Sequence, residues 1–506
     1  MADDLHTGSF MTDSTALPTI IQGGMGVGVS NWRLARAVAS LGELGVVSGT
    51  GLDTLFVRRL QDGDPGGHLR RSMARFPIPG VAEAMLEKYF RPEGRAPTES
   101  YRLLPMFKQK LSQARHQITV LANFVEVDLA KEGHEGRVGL NLLTKIQLPN
   151  PASLYGAMLA GVDYILMGAG IPREVPGVLD GLARGEAVEM TLDAVGLARG
   201  EKETFGFDPA VVYDGPAPEV ARPSFLPIVA SNSLATMLVR KATGRIDGFV
   251  IEGPTAGGHN APPRGKVVYN ERGEPQYGER DVVDLQKIAD IGLPFWIAGG
   301  AGHPDRLREV QAAGATGVQV GTLFAYCDES GLGAEHRSEV IEGAMRGQIE
   351  ILTDGRASPT GFPFKAVQLE GTLSSDAVYE ERTRCCDLGY LRTPYRNDRG
   401  RIAYRCASEP IGTFLKKGGA IEDTVGRKCL CNALMANLGQ GQVQKGGAVE
   451  PTLFTAGDDL QALALFLDGR RSYTAADVVA YIRGETSAPT LLAPTGATSA
   501  DMELDA

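Results

Sequence analysis

Eight short apolar runs recur along the chain without the apolar/polar alternation of a half-exposed strand. They are TIIQ (19–22), LGVVSG (44–49), VGLNLL (138–143), VDYILMG (162–168), LPIVAS (226–231), IDGFVIEG (246–253), PFWIAGG (294–300) and TGVQVGT (316–322). Strands of this kind are buried on both faces, as in a parallel sheet covered by helices. Most runs lead into a stretch with apolar residues at helical spacing, of which NWRLARAVASLG and HPDRLREVQAAG are the plainest. Eight βα units predict an α/β fold closed into a (β/α)8 barrel, and the strand count disfavours an open doubly wound sheet. The turn GGMGVGVSN after the first run is not the dinucleotide fingerprint G-x-G-x-x-G, because Val29 stands where the last glycine belongs.

Two segments exceed a minimal barrel. Between the second and third runs, VAEAMLEKYF and MFKQKLSQARHQITVLANFVEVDLAK predict a helical insertion over 52–137, on the barrel's top face. A second block, 331–485, follows the last run and holds five of the six cysteines. The expected division is a disordered leader (1–17), a barrel (18–330), this C-terminal extension, and a disordered tail (486–506) rich in Ala, Thr, Pro and acids.

Composition narrows the class. Of 506 residues, 43% are hydrophobic and 22% charged, too apolar for a disordered chain, and the 64 glycines follow no collagen period. The net charge of −10 argues against a general nucleic-acid binder. No apolar h-region opens the chain and no run reaches a membrane-spanning length, so a cytoplasmic protein is expected, without a membrane partner.

Barrel chemistry sits at the C-terminal ends of the strands. The seventh run ends in Ala298-Gly299-Gly300-Ala301-Gly302 and the eighth in Gln319-Val320-Gly321-Thr322. Gly-rich ends in this pair of positions, with a hydroxyl at Thr322, predict a phosphate site rather than turns alone. The sixth run ends in Glu252-Gly253-Pro254-Thr255-Ala256-Gly257-Gly258-His259-Asn260, which sets His259 on a loop over the barrel mouth. An imidazole of ordinary pKa there suits proton abstraction from a carbon acid, and position alone does not separate this from a loop histidine bonding its neighbours. Gly66-Gly67-His68 repeats the tripeptide within a polar run and reads as an ordinary loop.

IIQGGMGVGVSNWRLARAVASLGELGVVSGTG, VGLNLL, IEGPTAGGHN, IAGGAG and TGVQVGTLF resemble, in order, the motifs of FMN-dependent nitronate monooxygenases (2-nitropropane dioxygenases). The related flavin-dependent enoyl-ACP reductases share the pattern. The resemblance covers roughly 18–326 apart from the insertion. It implies an FMN barrel with Gly23, Gly24 and Met25 against the isoalloxazine ring and Asn141 hydrogen-bonding it. It also implies that Gly257 and Gly258 approach the cofactor and that His259 is catalytic. Gln319, Gly299, Gly300, Gly321 and Thr322 complete the cofactor set, with Gln22 and Ser231 as weaker candidates. Without the resemblance, Met25 reads as a core residue. The implied reaction oxidises a nitroalkane, nitronate or similar carbon acid with O2. The alternative is an NAD(P)H-dependent enoyl-thioester reductase acting on an acyl carrier protein. A homodimer is the assembly to test. The chain departs from the family in the Asn-Ala-Pro-Pro-Arg that follows His259, in the insertion and in the C-terminal block.

Cys385, Cys386, Cys406, Cys429 and Cys431 cluster in that block. Four thiolates hold a zinc ion or an iron–sulfur cluster, and Cys386, Cys406, Cys429 and Cys431 are the preferred set, with Cys385 spare. Reduced structural cysteines are the alternative. Cys327 reads as a core residue.

Overall fold

A computed structural model describes residues 16–213 and 217–485. The leader up to residue 15 and the tail from residue 486 lie outside the described residues. All eight runs are strands: β1 (Ile20–Gln22), β2 (Gly45–Ser48), β3 (Val138–Leu143), β4 (Tyr164–Gly168), β5 (Ser224–Val229), β6 (Phe249–Glu252), β7 (Phe295–Ala298) and β8 (Gly317–Val320). Each pairs in parallel with the next from β2 through β8, and β8 pairs with β1. A parallel bridge from Ile21 to Leu44 returns β1 to β2 and closes the (β/α)8 barrel.

The barrel interior is packed. Ile21, Val46, Leu166, Leu226, Val250 and Trp296 are all fully buried in one cluster within it. Trp296 is wholly enclosed, and its Nε1 donates to Pro18 O at 2.8 Å, which satisfies the one polar atom of the side chain.

Between β2 and β3 the chain is helical, with helices at Leu52–Gln61, His68–Met73, Val81–Tyr89 and Gln113–Ala130. The longest packs against Trp32–Ser40, Leu52–Gln61 and Asn150–Leu159, a place in the outer ring. After β8 the chain builds an antiparallel pair, Glu350–Asp354 with Phe364–Gln368, and a hairpin, Thr393–Arg396 with Ile402–Arg405. It then returns to the barrel. The helix Ala475–Arg483 packs against Trp32–Ser40 and Pro304–Ala312, filling the ring between the first and seventh barrel helices.

That closing helix begins at Thr474, whose hydroxyl accepts from Asp477 N at 3.2 Å while the Asp477 carboxylate accepts from Thr474 N at 2.8 Å. Thr474→Ala is expected to cost about 1 kcal/mol. A urea midpoint equal to that of the parent protein would contradict this reading of the cap. Among the described residues, no helix is long and apolar enough to cross a membrane.

Candidate functional site

The strand ends converge on one cavity of about 450 Å³ at the barrel mouth. Gly23, Gly24, Met25, Asn141, Gly257, Gly258, His259, Gly299, Gly300, Gln319, Gly321 and Thr322 all line it. The weaker candidates do not. Gln22 is buried, accepting from Val46 N at 2.9 Å and donating to Ser30 Oγ at 2.7 Å, so it ties β1 to β2. Ser231 caps the helix Asn232–Lys241 by accepting from Leu234 N.

The roof of the cavity comes from the C-terminal block, through Phe362, Phe364, Leu391, Leu430, Leu434 and Phe454. Gly258 and His259 form a short strand antiparallel to Phe364–Gln368, with His259 opposite Phe364 and Gly258 opposite Lys365. The block therefore holds the histidine loop in place. The His259 ring stands edge-on to Phe364 at 5.0 Å, and its Nε2 lies 2.7 Å from Ser358 Oγ. Ser358 is fully buried and pairs in turn with Thr360 Oγ1 at 2.8 Å. These contacts fix the ring's orientation.

The electrostatics correct one expectation. Burial, and secondarily the nearby Lys145, push the His259 pKa down to about 4. The ring is therefore neutral at neutral pH, not poised at the ordinary histidine value, because the cavity walls strip water from the charged form. Lys145 is itself lowered to about 8 by burial, and its ammonium sits 3.2 Å from the centre of the Phe362 ring.

The glycines divide by what surrounds them. A Cβ on Gly24 would lie 2.2 Å from Asn141 Cβ, and one on Gly257 would lie 2.7 Å from Ala456 C. These two are bare because protein packs against them. Gly258, at φ +77°, faces open space. Gly299 and Gly300, at φ +93° and +61°, carry the left-handed turn after β7 that a side chain would strain.

At Thr322 the arrangement departs from the expected phosphate donor. Its hydroxyl donates to Asp459 Oδ1 at 2.5 Å and accepts from Gly457 N at 3.0 Å. An irregular segment of the C-terminal block thus crosses the turn, and Gly258 N donates to Thr455 Oγ1 at 2.8 Å in the same crossing. Burial raises the Asp459 carboxyl above the usual range. Ser358, Asp459 and Glu252, which also lines the cavity, were not expected from sequence.

Cys385, Cys386, Cys406, Cys429 and Cys431 converge on a second, much smaller cavity, and Cys431 also lines the large one. Among the described residues, however, no group of three or more His, Cys, Asp or Glu side chains is arranged to hold a metal ion. The four-thiolate site on Cys386, Cys406, Cys429 and Cys431 is not supported. The thiols have protein partners: Cys385 donates to Glu450 Oε1 at 3.2 Å, Cys406 Sγ lies 3.2 Å from Ser408 Oγ, and Cys386 bonds Cys406. Burial pushes the Cys429 thiol up to about 11, whereas hydrogen bonding from Cys386 lowers Cys406. Cys327 is fully buried, as expected of a core residue.

Residues 219–357, from just before β5 into the C-terminal block, match the nitronate monooxygenase family model. A nitronate monooxygenase of Pseudomonas aeruginosa is 37% identical over 119 residues, which is 23% of this chain and about a third (32%) of that protein's length. Among solved structures, FabK from Thermotoga maritima aligns with a TM-score of 0.46 and 15% identity, covering 93% of both chains. A nitroalkane oxidase from Streptomyces ansochromogenes aligns with a TM-score of 0.43 and 14% identity, covering 93% of this chain and 95% of that one. The chain resembles the nitronate monooxygenase family, and 219–357 is the stretch on which that family's model fits it.

Proposed function

We propose that the protein is an FMN-dependent oxidoreductase of the nitronate-monooxygenase type. The observation that carries this reading is the convergence of the motif residues on one cavity that leaves buried polar atoms unsatisfied. Asn141 and Gln319 line it, and among the described residues Asn141 Oδ1 and Gln319 Oε1 have no hydrogen-bond partner. Each such acceptor costs roughly 1–3 kcal/mol if left dry, so the site suits a ligand with N–H or O–H donors on a flat polar edge. The volume is within the usual range for a small-molecule or cofactor pocket.

FMN, when bound, would supply two-electron chemistry and reactivity toward O2. Asn141 and Gln319 would orient the ring edge, and the Gly299–Gly300 and Gly321 turns would receive the phosphate. Asp459 at Thr322 works against a dianion unless its carboxyl is neutral, and the upward shift caused by burial favours that neutral form. His259 would accept the α-proton of a nitroalkane on its neutral imidazole, with Ser358 holding the ring at Nε2. The apolar roof excludes water from the reacting carbon. The small-molecule substrate and O2 are the partners in this reading.

Ser358→Ala removes one neutral hydrogen bond that orients the base. It is expected to lower kcat/KM about three- to tenfold while leaving flavin content unchanged. An unchanged kcat/KM would show that the hydroxyl does not position the ring.

One observation favours a second reading. The roof of the cavity is apolar, through Phe362, Phe364, Leu391, Leu430, Leu434 and Phe454, which suits the acyl chain of an enoyl thioester. Anaerobic titration of the FMN-loaded protein separates the two. Bleaching by a nitronate without nicotinamide supports the first reading; rapid bleaching by NADPH and none by nitronate supports the reductase.

A further inference from the structure

The last inward-facing layer of the barrel is polar. Val250 and Trp296 are paired and both belong to the interior cluster, so Glu252 and Ala298, paired two residues on, point to the same side. Ala298 pairs in turn with Gln319, which is opposite Ile21 of the same cluster. On the other side of the barrel, Val46 of that cluster places Ser48 inward, and Ser48 pairs with Asn141. Among the described residues, Ser48 Oγ, Asn141 Oδ1 and Gln319 Oε1 have no hydrogen-bond partner. In this layer the Glu252 carboxyl makes no hydrogen bond or ion pair with any described residue, although Glu252 lines the cavity. A carboxyl held in the protein without a cation or donor is costly as an anion.

We propose that Glu252 is a proton-exchanging residue of the cavity, placed to hold a proton toward the ring of the bound flavin. The inference rests on the flavin reading above. Burial alone raises its pKa to about 7, so at neutral pH a large fraction of the carboxyl is neutral. With FMN bound and the substrate supplying an electron pair to it, Glu252 would lend its proton toward the ring, remain as a carboxylate, and regain a proton from water.

The other titratable groups near this layer do not mimic it. His259 lies at about 4, Lys145 at about 8, and Tyr277 is held up to about 12 by burial and then by Asp281 and Glu252. On the crossing segment, Asp458 is paired with Lys365 at 2.7 Å, and Asp459, raised by burial, bonds Thr322.

Infrared spectroscopy across pH 5–9 reads the carboxyl directly, with or without flavin. A protonated-carboxyl band that is lost through about pH 7 in the parent protein and missing in Glu252→Gln is expected. His259→Asn and Asp459→Asn should each retain it. In the FMN-loaded protein, the flavin absorbance should show a one-proton transition over the same range, lost in Glu252→Gln and kept in Glu252→Asp. A band or transition that persists unchanged in Glu252→Gln, or is absent from the parent protein, overturns the inference. Failure to take up FMN would instead count against the flavin reading, and the infrared arm would still decide whether Glu252 exchanges its proton.

Discussion

Replacing His259 with alanine is expected to lower turnover of a neutral nitroalkane by about 10²- to 10⁴-fold while the protein keeps its flavin. The size follows from losing a positioned base. The retention of flavin follows from the geometry, because the unsatisfied acceptors in the cavity belong to Asn141 and Gln319 on other strands. Turnover of a preformed nitronate, which needs no proton abstraction, should fall far less. With burial and Lys145 holding the imidazole at about 4, the acid limb due to His259 should lie near pH 4 and not near the ordinary histidine value. Nitroalkane turnover in His259→Ala equal to the parent's would remove the histidine from the mechanism.

Asp53→Ala is expected to destabilise the fold by about 3–5 kcal/mol, the largest stability effect foreseen for a single polar side chain. Asp53 and Arg115 are 3% and 4% exposed, and the carboxylate accepts from the Arg115 guanidinium on one oxygen and from Tyr390 OH on the other. Removing it leaves Arg115 charged, buried and short of its anion, with Pro105 O, Thr119 Oγ1 and the face of Phe107 as its side-chain partners among the described residues. The same loss removes one of two bonds that tie Tyr390, a wall of the cavity, to the insertion helix, and leaves the one to Thr54 Oγ1 at 2.7 Å. Replacing both Asp53 and Arg115 with leucine and methionine should recover much of the stability, because no lone charge remains. A urea midpoint for Asp53→Ala within error of the parent's would contradict the account of this pair.

The barrel was legible because its signal is local. Runs such as VGLNLL and PFWIAGG are apolar on both faces, which a strand between helices requires, and the glycines that follow mark where the chain turns. The glycine-rich strand ends were legible for the same reason: Gly23, Gly24, Gly299, Gly300 and Gly321 line the cavity, while Gln22 and Ser231 do not. What escaped notice depends on contacts across long stretches of chain. The pairing of His259 with Phe364, and the bond from Ser358 to its ring, join segments about a hundred residues apart with no periodicity to reveal them. Asp459 reaches Thr322 from farther still. Glu252 was visible as the end of a run, but its lack of a partner is a property of the folded barrel.

The cysteines mislead for a related reason. Their closeness in sequence does bring them to one small cavity, but convergence is not ligand geometry: among the described residues Cys385 bonds Glu450, and Cys406 bonds Ser408 and Cys386. Likewise Gly24 and Gly257, which read as backbone cleared for a cofactor, are bare because Asn141 and Ala456 press against them. A glycine shows that something comes close, and only the fold says what.

The most direct test of the central claim is to titrate the flavin-stripped protein with FMN while following the quenching of flavin fluorescence. Saturation at one FMN per chain, weakened by Asn141→Ala and by Gly300→Val, is the predicted result. A protein that leaves FMN fluorescence unchanged, and that is purified without any flavin spectrum, would contradict the account.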